Sequence, residues 1–225
     1  MLILVIDTAT PDLCVGLVRI REVTSGVLAP DTASTIAQEI LVQCKHHNET
    51  LIPTVQALLR EAGVTMSEIG AIIVGTGPGP FTGLRVGMAT AAALGHALGL
   101  PVYGVPTHEA MGLQLPQPAL VITDARRREI YYTVTGDVTT TGADVIAPAD
   151  LPVPSGVAAY TAPEQFELPQ LAEIPRVPVD FRASDWVHLV DFAKDPAPLV
   201  PLYLRRPDAK EPAPVHFEYA LGEQP

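Results

Sequence analysis

A loop rich in glycine and proline in the middle of the chain has the composition of an anion-binding turn. It runs from Gly75 to Gly87 (GTGPGPFTGLRVG), after the apolar run 71–74 and before a segment of small residues. A strand, a tight turn and a helix in this order can aim backbone N–H groups at a phosphate. No lysine follows the glycines, however, and Pro78 and Pro80 each remove an N–H donor. Phosphate binding and a rigid turn that starts a closely packed helix are both open interpretations.

Small residues recur every four positions in the segment that follows. In a helix over about 81–98 they form one stripe, because such residues lie on one helix face. Glycine inside a helix costs about 1 kcal/mol relative to alanine, so a compensating close contact with another helix is expected, in this chain or in a partner. Our predicted partner interface combines four residues of this stripe with two apolar residues of a helix over 50–62: Gly83, Gly87, Ala91, Gly95, Leu51 and Val55.

Two aspartates occupy matching places in the two halves of the chain. Asp7 follows the apolar run 2–6 and Asp124 follows 119–123, and in both cases a turn and a returning strand come next. This repetition predicts a duplicated α/β fold with two lobes, of the actin, Hsp70 and sugar-kinase kind, in which the aspartates face a nucleotide between the lobes. Asp7, Thr8 and Asp124 are therefore candidate nucleotide-binding residues. The competing interpretation is that the aspartates accept hydrogen bonds from backbone N–H groups of their own turns.

The histidines do not form a metal site by spacing. His46 and His47 are adjacent, so their side chains cannot share one helix face, and the others occur singly. No nucleophile with a neighbouring base is evident, and no lysine stands at the loop. We therefore predict no catalytic residue, no metal site and no bound cofactor.

Composition restricts the partners. The 225 residues carry a net charge of −11, which disfavours direct binding of the lone chain to RNA or to an anionic membrane. Cys14 and Cys44 lack metal spacing and indicate free thiols in a reducing compartment. The N-terminal apolar run reaches Asp7 after five apolar residues, and no run approaches the ~20 residues of a membrane span. We expect a cytoplasmic protein.

The pattern of apolar runs and turns predicts two lobes and a tail. The first lobe, 1–105, contains three strands, over 2–6, 13–20 and 22–28, followed by alternating helices and strands. The second lobe, 106–206, opens with the strands around Asp124 and ends after an amphipathic helix over 184–193. The tail, 207–225, is rich in proline and acidic residues.

Five sequence motifs together resemble one family. They are IDTATP at 6–11, HNETLIP at 47–53, GPGPFTGLRVG at 77–87, DARRREIY at 124–131 and PLYLR at 201–205. This set is similar to the bacterial tRNA threonylcarbamoyladenosine biosynthesis proteins of the TsaB (YeaZ) family over residues 1–206. The sequence differs from the usual family pattern at Pro80, where serine is usual.

The resemblance implies a fold and a role. It implies an actin-like subunit that does not itself catalyse, but binds the catalytic subunit TsaD through helices of the first lobe. With TsaD and the ATPase TsaE, such a subunit takes part in threonylcarbamoyl transfer to adenosine 37 of tRNA. Contact with tRNA is expected only through this complex, and membrane association is not expected. Whether the free chain is a monomer or a homodimer stays open.

Two other functions compete with this one. A nucleotide-dependent kinase or ATPase of the same fold would need Asp7, Thr8 and Asp124 to hold Mg-ATP. A metallopeptidase-like hydrolase would need a pair of histidines four residues apart, and the sequence contains none.

Overall fold

The computed structural model describes residues 1–21, 32–136 and 142–205. Its first sheet has five strands in the order β3-β2-β1-β4-β5. They are β1 Leu2–Asp7, β2 Leu13–Ile20, β3 Ala33–Leu41, β4 Ile69–Gly75 and β5 Val102–Val105. The first three strands form an antiparallel meander, and β4 and β5 run parallel to β1. Helix α1 (His47–Glu61) connects β3 to β4, and α2 (Phe81–Leu98) connects β4 to β5.

The second sheet repeats the order of the first. Its strands are β6 Ala119–Asp124, β7 Ile130–Thr135, β8 Asp144–Ile146 and β9 Ala159–Thr161, in the order β8-β7-β6-β9. The β6–β7 pair is antiparallel and β9 is parallel to β6, as β1–β2 and β1–β4 are in the first sheet. The predicted duplicated fold with two lobes is therefore confirmed. Helix α3 (Thr107–Gly112) joins the sheets, and 3-10 turns lie at Met66–Glu68, Pro148–Asp150 and Pro169–Leu171.

Both faces of the first sheet are covered, which explains why all six residues of β1 are buried. Because side chains alternate along a strand, Leu4 and Ile6 pack with α1 and α2 on one face. Ile3 and Val5 pack on the other face with Trp186 of helix α4 (Ala183–Val187). A segment late in the chain thus completes the core of the first lobe.

The C-terminal described segment then runs along both lobes. The Leu202 N–H donates to the carbonyl oxygen of Thr76 at 2.8 Å, beside the end of β4. Three residues later, an Arg205 guanidinium nitrogen donates to the carbonyl oxygen of Ala125, just after β6, at 3.1 Å. The division into lobes at residue 105 stays a prediction, and α4 packs on the first sheet although it follows the second in sequence.

Several element bounds differ from the predicted ones. The strand expected at 22–28 and the tail 207–225 lie outside the described residues, and the third described strand is Ala33–Leu41. Helix α1 begins at His47 rather than near Thr50. Helix α4 covers only Ala183–Val187, because the chain then forms successive tighter turns, for example from the His188 N–H to the Asp185 carbonyl oxygen.

Candidate functional site

The ends of β1 and β6 meet at one cavity of about 420 Å³ between the two sheets. Asp7 and Asp124 both line it, so the structure brings the two predicted aspartates to the same site. Thr8, the first residue after β1, does not line this cavity, because its hydroxyl is bonded to the backbone of α2. Helix α3 contributes Thr107 and Met111 to the wall.

Asp7 is almost completely buried, and both of its carboxylate oxygens accept hydrogen bonds. Oδ2 accepts from the Thr107 hydroxyl at 2.7 Å, and Oδ1 accepts from the Ala9 N–H at 2.9 Å. Burial raises the pKa of Asp7 from 3.8 to about 6, while the bonds from Thr107 and Ala9 act in the opposite direction. The carboxylate is therefore held in the fold by groups of its own chain.

Asp124 repeats the same turn in the second lobe. Its Oδ1 atom accepts from the Arg126 N–H at 2.7 Å, two residues further on, as Asp7 accepts from Ala9. Such a contact from an aspartate to its own turn is an Asx turn. Both aspartates therefore make the hydrogen bonds that the turn interpretation predicts.

Thr8 stabilises the start of α2. Its hydroxyl donates to the Gly83 carbonyl oxygen at 2.7 Å and accepts from the Gly87 N–H at 3.1 Å. Gly83 and Gly87 are four residues apart, the spacing of hydrogen-bond partners in an α-helix. The Thr8 hydroxyl is therefore bonded to the backbone of α2 and does not line the cavity.

The cavity does not fit the phosphates of a nucleotide, which the fold would imply. Its lining residues include four acidic side chains and, among the described residues, no lysine, arginine or histidine: Asp7, Asp12, Asp124 and Asp180. The turn N–H groups of Ala9, Asp12 and Arg126 already donate to side-chain oxygens of the chain. A triphosphate would meet repulsion without the backbone donors that normally offset it.

The glycine loop is buried and bonded into the fold. Residues 75–79 are all buried, and the Thr76 N–H donates to the Val105 carbonyl oxygen at 2.9 Å. A Cβ atom added at Gly79 would lie 2.1 Å from the Ala9 carbonyl oxygen, so only glycine fits there. These contacts favour the rigid-turn interpretation of the loop.

His108, which the sequence left without a role, is a fully buried link between α3 and the second sheet. Its Nδ1 atom lies 2.7 Å from the Thr133 hydroxyl, and Nε2 lies 2.8 Å from the Thr123 hydroxyl. Burial lowers the pKa of His108 to about 3, so the ring is neutral at neutral pH. The sequence did not indicate this role, because Thr123 and Thr133 lie 15 and 25 positions away from His108.

Phe81 and Arg85 of one motif contact Tyr203, which lies at least 118 positions later in the sequence. The Arg85 Nε atom donates to the Tyr203 hydroxyl at 2.8 Å, and the Arg85 guanidinium lies 3.8 Å from the centre of the Phe81 ring. Arg205 forms an ion pair with Glu129. The motif at 201–205 therefore contacts both the motif at 77–87 and the motif at 124–131. In the sequence these three motifs are far apart.

The predicted partner interface needs a correction. Gly87, Ala91 and Gly95 are buried, as are Leu51 and Val55, which lie in the core of the first lobe. A Cβ atom at Gly83 would lie 2.5 Å from the Thr8 carbonyl oxygen, and one at Gly95 would lie 2.2 Å from Val102. The glycines of the stripe thus permit close approach to the turn after β1 and to β5, while Ala91 packs in the same core cluster as Leu51 and Val55 of α1. These buried residues cannot form an exposed docking face.

Two further searches cover the described part of the chain. Within residues 1–21, 32–136 and 142–205, no group of three or more histidine, cysteine, aspartate or glutamate side chains could hold a metal ion. Over the same ranges, no helix combines the length and apolar character that crossing a bilayer requires.

The fold and the cleft define a protein with two lobes of the actin-like class. A profile of the family described as TsaD, tRNA N6-adenosine threonylcarbamoyltransferase, matches residues 35–190. An uncharacterized protein of Mycobacterium bovis is 45% identical over 212 residues, covering 92% of this chain and 93% of that protein.

Named relatives give the group within this class. The TsaB protein of Escherichia coli, a tRNA threonylcarbamoyladenosine biosynthesis protein, is 34% identical over 137 residues, covering 59% of this chain and 54% of that protein. The structure of YeaZ from Pseudomonas aeruginosa superposes with a TM-score of 0.63 at 26% identity, covering 90% of this chain and 99% of that one. The chain belongs to the TsaD family, and within it to the TsaB/YeaZ group.

Proposed function

We propose that this chain is a subunit of the system that makes threonylcarbamoyladenosine in tRNA, and that it supports a TsaD-like catalytic subunit without catalysing transfer itself. Membership of the TsaB/YeaZ group supports the first part. The observation that carries the second part is the state of the cleft. Asp7 and Thr8 are engaged by hydrogen bonds within the chain, and so is Asp124.

The competing kinase or ATPase function gains no support from the cleft. Such an enzyme would have to bring the γ-phosphate of ATP to a cavity in which the charged lining residues among those described are aspartates. Positive groups that would stabilise the transferred phosphate are missing from that lining. We therefore favour a supporting role.

The partner surface that we propose is the exposed side of α2, which lies opposite the buried glycine stripe. Exposed alanines recur there at Ala89, Ala93 and Ala97. Small exposed side chains let the backbone of a second helix approach closely. The neighbouring helix α1 exposes Gln56 and Ala57 and widens this surface.

The remaining members of the assembly follow from the family resemblance. We propose that a TsaE-like ATPase joins the chain and its TsaD-like partner. In the absence of the partner, a second copy of the chain occupies the α2 surface and forms a homodimer.

Reconstitution tests this function. The full chain, the TsaD-like protein of the same organism and tRNA are purified, and both co-elution and threonylcarbamoyl transfer from threonylcarbamoyl-AMP are measured. We expect co-elution of the two proteins, and transfer only in mixtures that contain the TsaD-like protein. Transfer by this chain alone would contradict the supporting role, and separate elution would contradict the partnership.

A further inference from the structure

Charged side chains are segregated around the cleft. The cavity of about 420 Å³ is lined by aspartates and, among the described residues, by no cation. Two adjoining cavities, of about 330 and 600 Å³, show the reverse. Their described lining includes no aspartate or glutamate, and the cations there are Lys45, Arg126, Arg127 and Arg205. We call these four residues the basic surface. Arg126 lines both of its cavities.

The turn between β6 and β7 holds its arginines in an unusual backbone conformation. Arg126, Arg127 and Arg128 have φ angles of +64°, +54° and +64°, in the left-handed region. This conformation costs about 1–2 kcal/mol per residue for side chains other than glycine. All three side chains are exposed, and the turn is closed by a bond from the Ala125 N–H to the Glu129 carbonyl oxygen at 3.0 Å. Exposed arginines in a strained turn point to a role in binding rather than in packing.

The N-terminal turns of two long helices line the same basic cavity. Helix α1 has 15 residues and α2 has 18, and neither has a side-chain cap at its N-terminus. His47 and Asn48 of α1 line the larger basic cavity together with Thr82 and Gly83 of α2. The partial positive charges of both helix N-termini therefore add to those of Lys45 and Arg126.

Acidic side chains of the described residues also lie near the basic surface. Glu129 forms an ion pair with Arg205, and Glu49, in the first turn of α1, lies 4.0 Å from His46. Asp12 lines only the acidic cavity, and its Oδ1 atom accepts from the Gln43 N–H at 2.8 Å. The net charge of −11 is thus unevenly distributed, and it does not describe the field at this surface.

We propose that the basic surface contacts phosphate groups of the tRNA backbone directly when the chain is in its assembly. This inference rests on the proposed function, which supplies tRNA as the substrate of that assembly. The cations extend across two adjoining cavities and an exposed turn, an arrangement suited to several consecutive phosphates. Phe81 and Tyr203, 40% and 37% exposed, line one of these cavities and offer apolar surface for an unstacked base. This proposal differs from the expectation that tRNA is reached only through the other subunits.

The test compares two double variants with the same change in charge. Arg126→Gln/Arg127→Gln alters the basic surface, and Arg19→Gln/Arg60→Gln removes two exposed arginines that do not line its cavities. Binding of purified tRNA is titrated over a range of salt concentrations, with the lone chain at low salt and with the chain bound to its TsaD-like partner. Co-elution with the partner is measured in parallel.

The expected result is specific to the basic surface. Arg126→Gln/Arg127→Gln weakens tRNA binding about tenfold or more and reduces the salt slope by about 2, because each phosphate contact contributes about one unit of slope. Co-elution with the partner is unchanged, and the control double variant behaves as the unsubstituted chain does. Lys45→Gln, on a separate segment, weakens tRNA binding in the same direction.

Three results would overturn this inference. Unchanged tRNA affinity and salt slope in both settings is one. Lost co-elution with unchanged tRNA affinity is the second, and would identify a protein contact. ADP binding, measured by calorimetry, that the unsubstituted chain shows and Arg126→Gln/Arg127→Gln loses at unchanged tRNA affinity is the third, and would identify a mononucleotide site. If the unsubstituted chain fails to co-elute with the partner, the proposed function fails, and the titration of the lone chain still decides this inference.

Discussion

The hydroxyl oxygen of Thr8 lies 3.1 Å from the backbone nitrogen of Gly87 and accepts its hydrogen bond across 79 positions of the sequence. A Cβ atom at Gly87 would lie 2.4 Å from that oxygen. The absence of a side chain at Gly87 is therefore what allows the turn after β1 to dock on α2. Gly87, which we predicted from the sequence to contact a partner, therefore takes part in the packing of the first lobe.

Substitution of Gly87 should destabilise the lone chain. In Gly87→Leu the new side chain collides with Thr8, and overpacking of this kind costs about 1–3 kcal/mol. The measurement is the free energy of unfolding from urea titration, with Ala89→Leu on the exposed side of the same helix as the control. Equal stability of the two variants would contradict the packing role.

A double-mutant cycle isolates the contact itself. Thr8→Ala removes the hydroxyl that Gly87→Ala would strike, so the second substitution should cost less in the Thr8→Ala background. We expect an interaction energy of about 0.5–3 kcal/mol. Additive effects of the two substitutions would show that the glycine is required for another reason.

Substitution of Ala93 should separate folding from assembly. Ala93 is exposed on the side of α2 that we propose as the partner surface. Ala93→Glu should leave the free energy of unfolding of the lone chain within about 0.5 kcal/mol, as is usual for surface substitutions. It should reduce co-elution with the TsaD-like partner, because a charge would be buried without a counterion. A variant in the second lobe, Glu164→Ala, is the control, and undiminished co-elution of Ala93→Glu would place the interface elsewhere.

The lone chain should not bind Mg-ATP tightly. The acidic lining of the cleft repels a triphosphate, and the turn N–H groups are already bonded. Calorimetry should show no stoichiometric binding tighter than about 10 μM, or roughly −7 kcal/mol. Tighter binding that is lost in both Asp7→Ala and Asp124→Ala would favour the kinase or ATPase alternative.

The burial of Asp7 should make the stability of the chain depend on pH. Because the pKa of Asp7 is about 6 in the fold and 3.8 in the reference state, its contribution is most favourable below pH 3.8 and is lost as pH rises through 6. This difference corresponds to about 3 kcal/mol. Asp7→Asn retains hydrogen-bonding atoms and cannot ionise, so its stability relative to the unsubstituted chain should increase between pH 4 and pH 7.

His108 acts in the opposite direction over an overlapping range. Its pKa is lowered by burial to about 3, so the contribution of the neutral ring is complete above pH 6.5 and is lost as pH falls toward 3. The contributions of Asp7 and His108 should therefore partly cancel, which makes the difference between Asp7→Asn and the unsubstituted chain the informative quantity. A difference that is constant from pH 4 to pH 7 would contradict the raised pKa of Asp7.

Local sequence signals determined much of the first lobe. The apolar run of β2 predicted Leu13–Ile20, and the segment between Pro80 and Gly99 predicted Phe81–Leu98, both as the structure has them. These signals are local, because a proline or a glycine terminates an element whatever the rest of the chain does. The matching aspartates at the ends of β1 and β6 likewise predicted the duplication, since each turn is specified by its own residues.

Tertiary structure decided what those elements contact. The sequence spacing of Gly83 and Gly87 indicates a close approach, but only the fold shows that Thr8 makes it. The extent of α4 and the meeting of Arg85 with Tyr203 depend on contacts between segments far apart in sequence. Charge segregation around the cleft is equally non-local. A net charge is a sum over the chain, whereas the field at a surface depends on which side chains the fold brings together.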